Sequence, residues 1–232
     1  MNEYELPGDP PISVVLRPSA RARRYSLRVS RLDGRVTLTL PRSASRARAL
    51  DFVREKAGWI RDKLAERPEE VSVAEGAMLP VDGIELEIAR GKRNALLFGM
   101  GRIEVSTRSH SVPATVTGLV REHARNRLVA ACDAFSTELG RPYSRITLRD
   151  TRSRWGSCSA QGALMFSWRL ILAPPDVLDY VAAHEVAHLA EMNHSPRFWA
   201  QVERLWPDYR AHRAWLRENG ETLHRYRFET TP

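Results

Sequence analysis

The sequence predicts an α+β protein, with a β-rich first part and a mainly helical second part. Short stretches that alternate apolar and polar residues dominate up to about residue 110, and apolar residues at helical spacing dominate after it. A length of 232 residues with 43% hydrophobic and 28% charged residues suits one globular domain with a smaller appendage. We place the division near Ser109–Pro113, between an arginine-dense region 1–110 and a second region 111–232, and expect both to pack as one unit.

Composition excludes several classes of protein. The chain has too many apolar residues for a disordered protein, and no apolar run approaches the ~18–20 residues that span a bilayer. The segment that begins at Met1 lacks the basic and apolar parts of a secretory signal, and Cys132 and Cys158 are too few for a disulfide scaffold. We therefore expect a cytoplasmic protein without membrane contact. The net charge of +8 is compatible with binding to nucleic acid, with binding to an acidic membrane, or with a basic surface that binds neither.

The first region is predicted to contain strands around one helix. Asp33 and Gly34 form the residue pair typical of a tight hairpin, and Ser43 or Ser45 is a candidate cap for the helix Ser43–Ala65. The predicted strands are Ser13–Leu16, Tyr25–Val29, Arg35–Leu40, Ile84–Ala89, Ala95–Phe98 and Ile103–Ser106. Seven arginines accompany the first three strands: Arg17, Arg21, Arg23, Arg24, Arg28, Arg31 and Arg35.

The second region is predicted to hold two longer helices, two strands and two short helices. Gly140 ends the first helix, and the Pro174-Pro175-Asp176 run begins the second. The predicted helices are Ala114–Leu139, Asp176–Met192, one after Ser195-Pro196 and one over Tyr209–Glu218. The predicted strands are Arg145–Arg149 and Ala163–Leu172.

The strongest functional signal is the run His184-Glu185-Val186-Ala187-His188. Residues four apart share one face of a helix, so the two imidazoles can bind one metal ion, and imidazole is a good zinc ligand. Glu185 lies ~100° round the helix, which suits a general base that acts on metal-bound water. Because the helix is otherwise apolar, burying these groups without a shared partner would cost much free energy.

A catalytic zinc site needs a third protein ligand, and two residues are candidates. We favour His194 over Glu203 of the following helix. The helix must then end so that His194 returns to the metal, with Asn193 in the left-handed conformation and Ser195-Pro196 beginning the next helix. Glu191, seven residues after His184, is either an acceptor for a ligand N–H or a solvated surface residue.

Three segments resemble the YgjP-type metallopeptidases, which are similar to the WLM and SprT-like zinc peptidases. These are Arg152–Cys158, the strand Ala163–Leu172 with the three residues after it, and His184–Trp199. The resemblance implies a zincin-like core with an active-site helix under a small mixed sheet, zinc on His184, His188 and His194, and Glu185 as the catalytic base. Glu191 stands where the metzincin motif has glycine, which argues against that group.

Further site residues follow by analogy with other zincins. The strand that carries Phe166, Ser167 and Trp168 is the candidate edge to which a substrate adds by backbone pairing. Tyr209, with His212 and Arg213 behind it, is the candidate donor to the oxyanion, although a structural role is the simpler interpretation. Cys158 is either a regulatory thiolate that caps the zinc or a small buried residue in a turn that Gly156 permits.

Two functions remain in competition. The first is a zinc metallopeptidase, a hydrolase whose partner is a protein or peptide substrate. The second is a SprT-like protease or binding protein that associates weakly with nucleic acid through its basic N-terminal region, although no stacking aromatics accompany the arginines.

Overall fold

The computed structural model describes residues 3–30 and 33–228. The chain divides into two compact units, Met1–Glu69 and Glu70–Pro232. Arg31 and Leu32, next to the predicted hairpin, lie outside the described residues. Among the described residues, no helix is long and apolar enough to cross a membrane.

The first unit is a four-stranded sheet covered by two helices. Alternating residues of its strands are buried with one face of each helix, so Val14, Leu38, Val53 and Ile60 share a core. The sheet order is β1-β2-β4-β3. The elements are β1 (Glu3–Leu6), β2 (Ile12–Ser19), β3 (Ser26–Val29), β4 (Val36–Pro41), α1 (Arg46–Glu55) and α2 (Ala57–Ala65).

The helix predicted over Ser43–Ala65 is two helices. Lys56 leaves the helical conformation, with φ −91° and ψ 10°, and separates α1 from α2. Ser45 occupies the N-cap position of α1, but its side chain makes no capping hydrogen bond. Gly34 has φ 69°, the left-handed conformation that the predicted turn requires.

The second unit contains three sheets and four helices in its described part. The sheet orders are β6-β7-β9-β8, β10-β12-β11 and β13-β5. The strands are β5 (Val71–Ser72), β6 (Met78–Val81), β7 (Ile84–Gly91), β8 (Ala95–Leu97), β9 (Arg102–Ser106), β10 (Arg145–Arg149), β11 (Gly156–Cys158), β12 (Ala163–Ser167) and β13 (Tyr226–Arg227). The helices are α3 (Val112–Leu139), α4 (Pro175–Ala187), α5 (Pro196–Leu205) and α6 (Tyr209–Asn219).

The division between the units therefore falls at Glu69 and Glu70 and not at residues 110 and 111. The reason is that the sheet of β6–β9 buries its apolar face in the core that also contains α3. Leu86 and Ile103 from the sheet belong to the same cluster as Val120 and Leu128 from α3. A sheet with one apolar face must pack against another element, and α3 provides that surface.

The prediction of a strand over Ala163–Leu172 is correct only for its first half. Residues Ala163–Ser167 form β12, and Trp168–Leu172 form a short 3-10 helix, so Trp168 is not in a strand. The prediction of an edge strand is wrong as well. β12 lies in the middle of its sheet because it pairs with β10 in parallel and with β11 in antiparallel orientation. Both of its edges are thus already hydrogen-bonded.

The helix that carries the histidine motif ends earlier than the predicted Met192. α4 ends at Ala187, and the next turn tightens, with Leu189 N donating to Val186 O at 2.9 Å and Ala190 N to Ala187 O at 3.1 Å. Asn193 does not take the left-handed conformation, since Asp82 is the sole described non-glycine residue with positive φ. The chain therefore turns away from the helix axis before Asn193.

Candidate metal centre

Three histidine side chains converge at the end of α4. His184, His188 and His194 each offer one ring nitrogen, and the three atoms lie within 4.8 Å of one another. His184 and His188 are one turn apart on the helix, and their ring centroids are 5.2 Å apart. His194 completes the group, with its Nε2 3.2 Å from Nε2 of His184.

The loop between α4 and α5 brings His194 back toward the helix. Ser195 stands at the N-cap of α5, where its Oγ accepts a hydrogen bond from Phe198 N at 3.4 Å, and Pro196 begins the helix. Ser195 N also donates to Asn193 O at 2.7 Å. His194 is thus fixed between a turn and a capped helix, as the sequence predicted for Ser195-Pro196.

Two aromatic residues of α5 hold the imidazole rings in place. The fully buried Phe198 stacks on His188 with a centroid distance of 4.4 Å and makes edge contacts with the other two histidine rings. Trp199 stacks on His194 at 5.8 Å. Phe198 and Trp199 thus pack directly against the three imidazole rings.

The surroundings keep two of the imidazoles neutral. Burial, followed by the neighbouring histidines, lowers the pKa of His184 to about 3, and burial also lowers the pKa of His188. The Nδ1 atom of His188 lies 3.1 Å from the main-chain oxygen of Glu191. A carbonyl oxygen only accepts hydrogen bonds, so Nδ1 carries the proton and Nε2 keeps its lone pair. Glu191 therefore accepts the N–H of His188 through its main-chain oxygen.

Glu185 lies beside the histidines in a confined position. It is 5% exposed, and its buried Oε2 has no hydrogen-bond partner among residues 3–30 and 33–228. Burial raises the pKa of its carboxyl to about 8, while Arg154 acts in the opposite direction. A Cβ at Gly156 would stand 2.6 Å from Cγ and from Oε1 of Glu185. The absence of a side chain at Gly156 therefore leaves the space that the carboxylate occupies.

An open cavity of about 280 Å³ lies between α4 and β11. Its lining consists of Gly156, Ser157, Cys158, His184, Glu185, His188, Met192 and His194. β11 pairs with β12 along one edge, and no other described strand pairs with its second edge. The available strand edge at the site thus belongs to β11, which the sequence analysis read as a turn. Gly156, which follows Arg154 and Trp155, is the sequence feature that could have indicated a strand at the site.

Several predicted site residues lie elsewhere. Glu203 is outside the histidine group, and its Oε1 accepts a hydrogen bond from Arg210 at 2.7 Å. Phe166, Ser167 and Trp168 are all buried, so their side chains are not available to a substrate.

The predicted oxyanion donor and its neighbours stand behind the histidines. Tyr209 is buried and stacks on Trp199 at 5.3 Å, and it does not line the cavity. Arg213 lies 4.6 Å from the centre of the Trp199 ring, and His212 Nδ1 accepts a hydrogen bond from Trp206 Nε1 at 3.0 Å. These contacts fit a supporting role behind the site.

Cys158 lines the cavity on the opposite side from the histidines. Burial raises the pKa of its thiol to about 11, so the thiolate form is disfavoured, and its Sγ donates to Ser159 O at 3.4 Å. The thiol is not among the atoms that converge with the three histidines. Both Cys158 and Cys132 are free thiols.

Comparisons with known proteins show the family of the chain. Residues 23–219 match the family model of the YgjP-like metallopeptidase domain. A similar solved structure is that of the metallopeptidase zymogen abylysin from Pyrococcus abyssi, with 21% identity over 40% of this chain and 93% of that one, and a TM-score of 0.36. No curated protein sequence matches the chain. Because the family match spans most of the chain, including all three histidines and Glu185, the protein belongs to the YgjP-like metallopeptidase family.

Proposed function

We propose that this protein is a zinc-dependent peptidase with a zincin-like core, in which His184, His188 and His194 hold the ion. The observation that carries the proposal is the convergence of three imidazoles beside a buried carboxylate in an open cavity. Family membership supports a metal ion and peptide hydrolysis, and the choice of zinc rests on the three nitrogen ligands.

The spacing of the histidines fits such an ion. Two ligand nitrogens ~2.0–2.1 Å from a tetrahedral zinc ion would be roughly 3.3 Å apart. The Nε2 atoms of His184 and His194 are 3.2 Å apart. The buried Oε2 of Glu185 lacks a partner within the described structure, as expected at a site that binds a further group.

Glu185 would act as the general base. When bound, the ion would supply Lewis acidity to the attacking water and to the scissile carbonyl group. Glu185 would accept a proton from that water and return it to the departing amine. Glu185 lines the open cavity, and Gly156 leaves it the required space. The positive charge of a bound ion would favour the ionised carboxylate that accepts the proton.

The free edge of β11 would hold the substrate backbone. β11 lies against α4, so a peptide added beside Gly156–Cys158 would pass directly over the histidines and Glu185. Backbone hydrogen bonds to a strand edge align a peptide without requiring a particular sequence. This arrangement replaces β12 as the proposed substrate strand.

The proposal is tested by the Glu185→Gln variant. Glutamine has a similar shape but cannot accept the proton, so we expect cleavage of an unstructured casein-type substrate to fall ~10²–10⁴-fold. Bound zinc, measured by elemental analysis on the same sample, should stay at the wild-type level. Full activity in Glu185→Gln would contradict the assignment of the base.

The regulatory role of Cys158 stays a prediction. A thiolate that caps the ion would have to form against the burial that raises the thiol pKa. Activity that does not change in Cys158→Ser, or after treatment with a thiol reagent, would remove this role.

A second candidate function is binding of nucleic acid by the first unit. Three arginines and one acidic residue, with neighbouring Ser and Thr side chains, surround a concavity of about 350 Å³ on the outer face of the sheet; they are Arg17, Arg28, Arg35 and Asp33. Guanidinium groups on one face are suited to phosphate contacts. Binding of DNA that weakens steeply with salt and is reduced in Arg17→Gln/Arg28→Gln would support this function, and its absence at low salt would exclude it.

A further inference from the structure

A second, larger groove lies on the outer face of the sheet β10-β12-β11. Its volume is about 630 Å³. The strand β10 alternates, so that Arg145, Thr147 and Arg149 are exposed while Ile146 is buried. In the sheet register Thr147 lies beside Met165, and Met165 lies beside Ser157, so these side chains form one row across the groove floor.

The groove and the cavity at the histidines meet at the edge strand β11. Ser157 and Cys158 of β11 line both spaces. Arg154, two residues before β11, also lines the groove. A polypeptide that passes the edge of β11 at Ser157 and Cys158 would therefore reach the groove.

The groove carries positive charge that the protein does not neutralise. Arg145, Arg149 and Arg154 line it, and the lining contains no acidic side chain among the residues that the structure describes. Within those residues, the side chains of Arg145 and Arg149 have no hydrogen-bond or ion-pair partner. The neighbouring Asp150 is occupied, since its carboxylate accepts hydrogen bonds from Arg169 at 2.7 and 3.1 Å.

We propose that this groove binds an acidic segment of the polypeptide substrate beside the cleaved bond, through Arg145, Arg149 and Arg154. The guanidinium group presents a planar pair of donors that matches a carboxylate. Arg145 and Arg149 are four residues apart on a strand, a distance of roughly 13 Å, so the segment extends over several residues. This inference rests on the proposed peptidase function and names the class of its substrate.

Binding is measured first, because it does not require catalysis. The protein is the full chain with Glu185→Gln, and the probes are two fluorescent peptides that differ only by Glu or Gln in the flanking segment. We expect the Glu peptide to bind on the order of five- to tenfold more tightly at low salt, with the difference shrinking as salt increases. Equal binding of the two peptides would overturn the proposal, whatever the activity of the wild-type chain.

Charge variants then locate the binding surface. In the double variant Arg145→Gln/Arg149→Gln, the Glu peptide and the Gln peptide should bind about equally well. The ratio of their kcat/KM values should also fall close to one, provided that it is measured in the chain that retains Glu185. Arg204→Gln/Arg217→Gln removes two exposed charges from α5 and α6 and should keep the preference. Arg145→Glu/Arg149→Glu should instead favour a Lys-flanked peptide, a reversal that a merely structural role would not produce.

The outcomes separate the groove from the peptidase assignment. Cleavage of both peptides at equal rates leaves the peptidase function standing and overturns the groove proposal. Preferential binding of the Glu peptide with no cleavage by the wild-type chain supports the groove and contradicts the peptidase function. If a single-stranded oligonucleotide binds the groove and the Glu peptide does not, the groove belongs to nucleic acid and the proposal is wrong.

Discussion

The two units of the chain differ in what they bury. In the described part of Met1–Glu69 all fully buried side chains are apolar, from Leu6 on β1 to Ile60 on α2. The second unit also buries polar and charged residues, namely Ser106, Ser167, Arg169, Glu185, His188 and His224. Burying such groups costs free energy unless they are paired. Their presence therefore indicates that the second unit depends on specific polar interactions for its structure or its site.

Arginine shows the same difference. In the first unit, Arg54 remains exposed with Tyr4 and Asp51, and Arg61 donates to main-chain oxygens at the surface. In the second unit, Arg169 is 9% exposed and donates to Asp150 and to two carbonyl oxygens. The net charge of the chain therefore does not distinguish the two units, whereas the location of the buried charges does.

After Glu185→Gln, the largest effect on activity is expected from Gly156→Ala. The added methyl group would overlap Glu185, displacing the carboxylate that the proposed mechanism uses. We expect kcat/KM to fall on the order of 10²-fold, and the free energy of unfolding to fall by about 1–3 kcal/mol. Peptide cleavage and urea unfolding measure the two effects.

Gly118→Ala is the matched control for that substitution. Gly118 lies within α3, and nothing stands within 4 Å of the Cβ it would gain. Alanine should stabilise this helix by about 0.5–1 kcal/mol and leave activity unchanged. If Gly156→Ala behaves like Gly118→Ala, the close contact with Glu185 has no functional meaning.

An effect on stability, without a direct effect on the cavity, is expected from Arg169→Gln. This substitution removes the two hydrogen bonds to Asp150 and weakens those to Leu223 O and Tyr226 O, which hold the C-terminal strand β13. We expect a loss of about 3 kcal/mol in the free energy of unfolding, measured in urea. The exposed Arg54→Gln in the first unit should cost less than about 1 kcal/mol. Equal costs would remove the contrast between the two units.

The smallest effect is a pH dependence of stability that comes from His224. Burial, followed by the charge of Arg169, lowers the pKa of His224 to about 4. Between the ordinary value of 6.5 and about 4, the unfolded chain binds a proton that the folded chain does not, so stability falls as the pH falls through this window. Above pH 6.5 the imidazole is neutral in both states and contributes no pH dependence.

His224→Gln should make the unfolding free energy less dependent on pH in that window, by up to about 3 kcal/mol at its acid end. His110→Gln, at an exposed position of the same unit, should keep the wild-type pH dependence. Parallel curves for wild type and His224→Gln would mean that His224 does not contribute.

Periodicity in the sequence predicted the long elements well and their ends less well. α3 begins two residues before its predicted start and ends at Gly140 as expected, because its apolar stripe and its glycine are local signals. The apolar run Ala163–Leu172 has no such signal at Ser167, where the chain changes from strand to 3-10 helix. In a buried segment both conformations require apolar residues, so packing around Trp168 decides between them.

The site was predictable where its chemistry is local. His184, Glu185 and His188 form one turn of α4, and Ser195-Pro196 signals the next helix. The role of Gly156 depends on the approach of β11 to Glu185, a contact between residues far apart in sequence. Likewise, the sheet register that makes β11 the edge strand depends on long-range pairing, which no short motif encodes.

The most direct test of the account is the zinc content of the wild-type chain, His194→Ala and Glu203→Ala, measured by elemental analysis after gel filtration. The account predicts about one zinc ion per chain in the wild type and in Glu203→Ala, and well below that in His194→Ala. Glu203 is held by Arg210 outside the histidine group, so its loss should leave the ion in place. Full zinc in His194→Ala together with loss of zinc in Glu203→Ala would contradict the three-histidine centre.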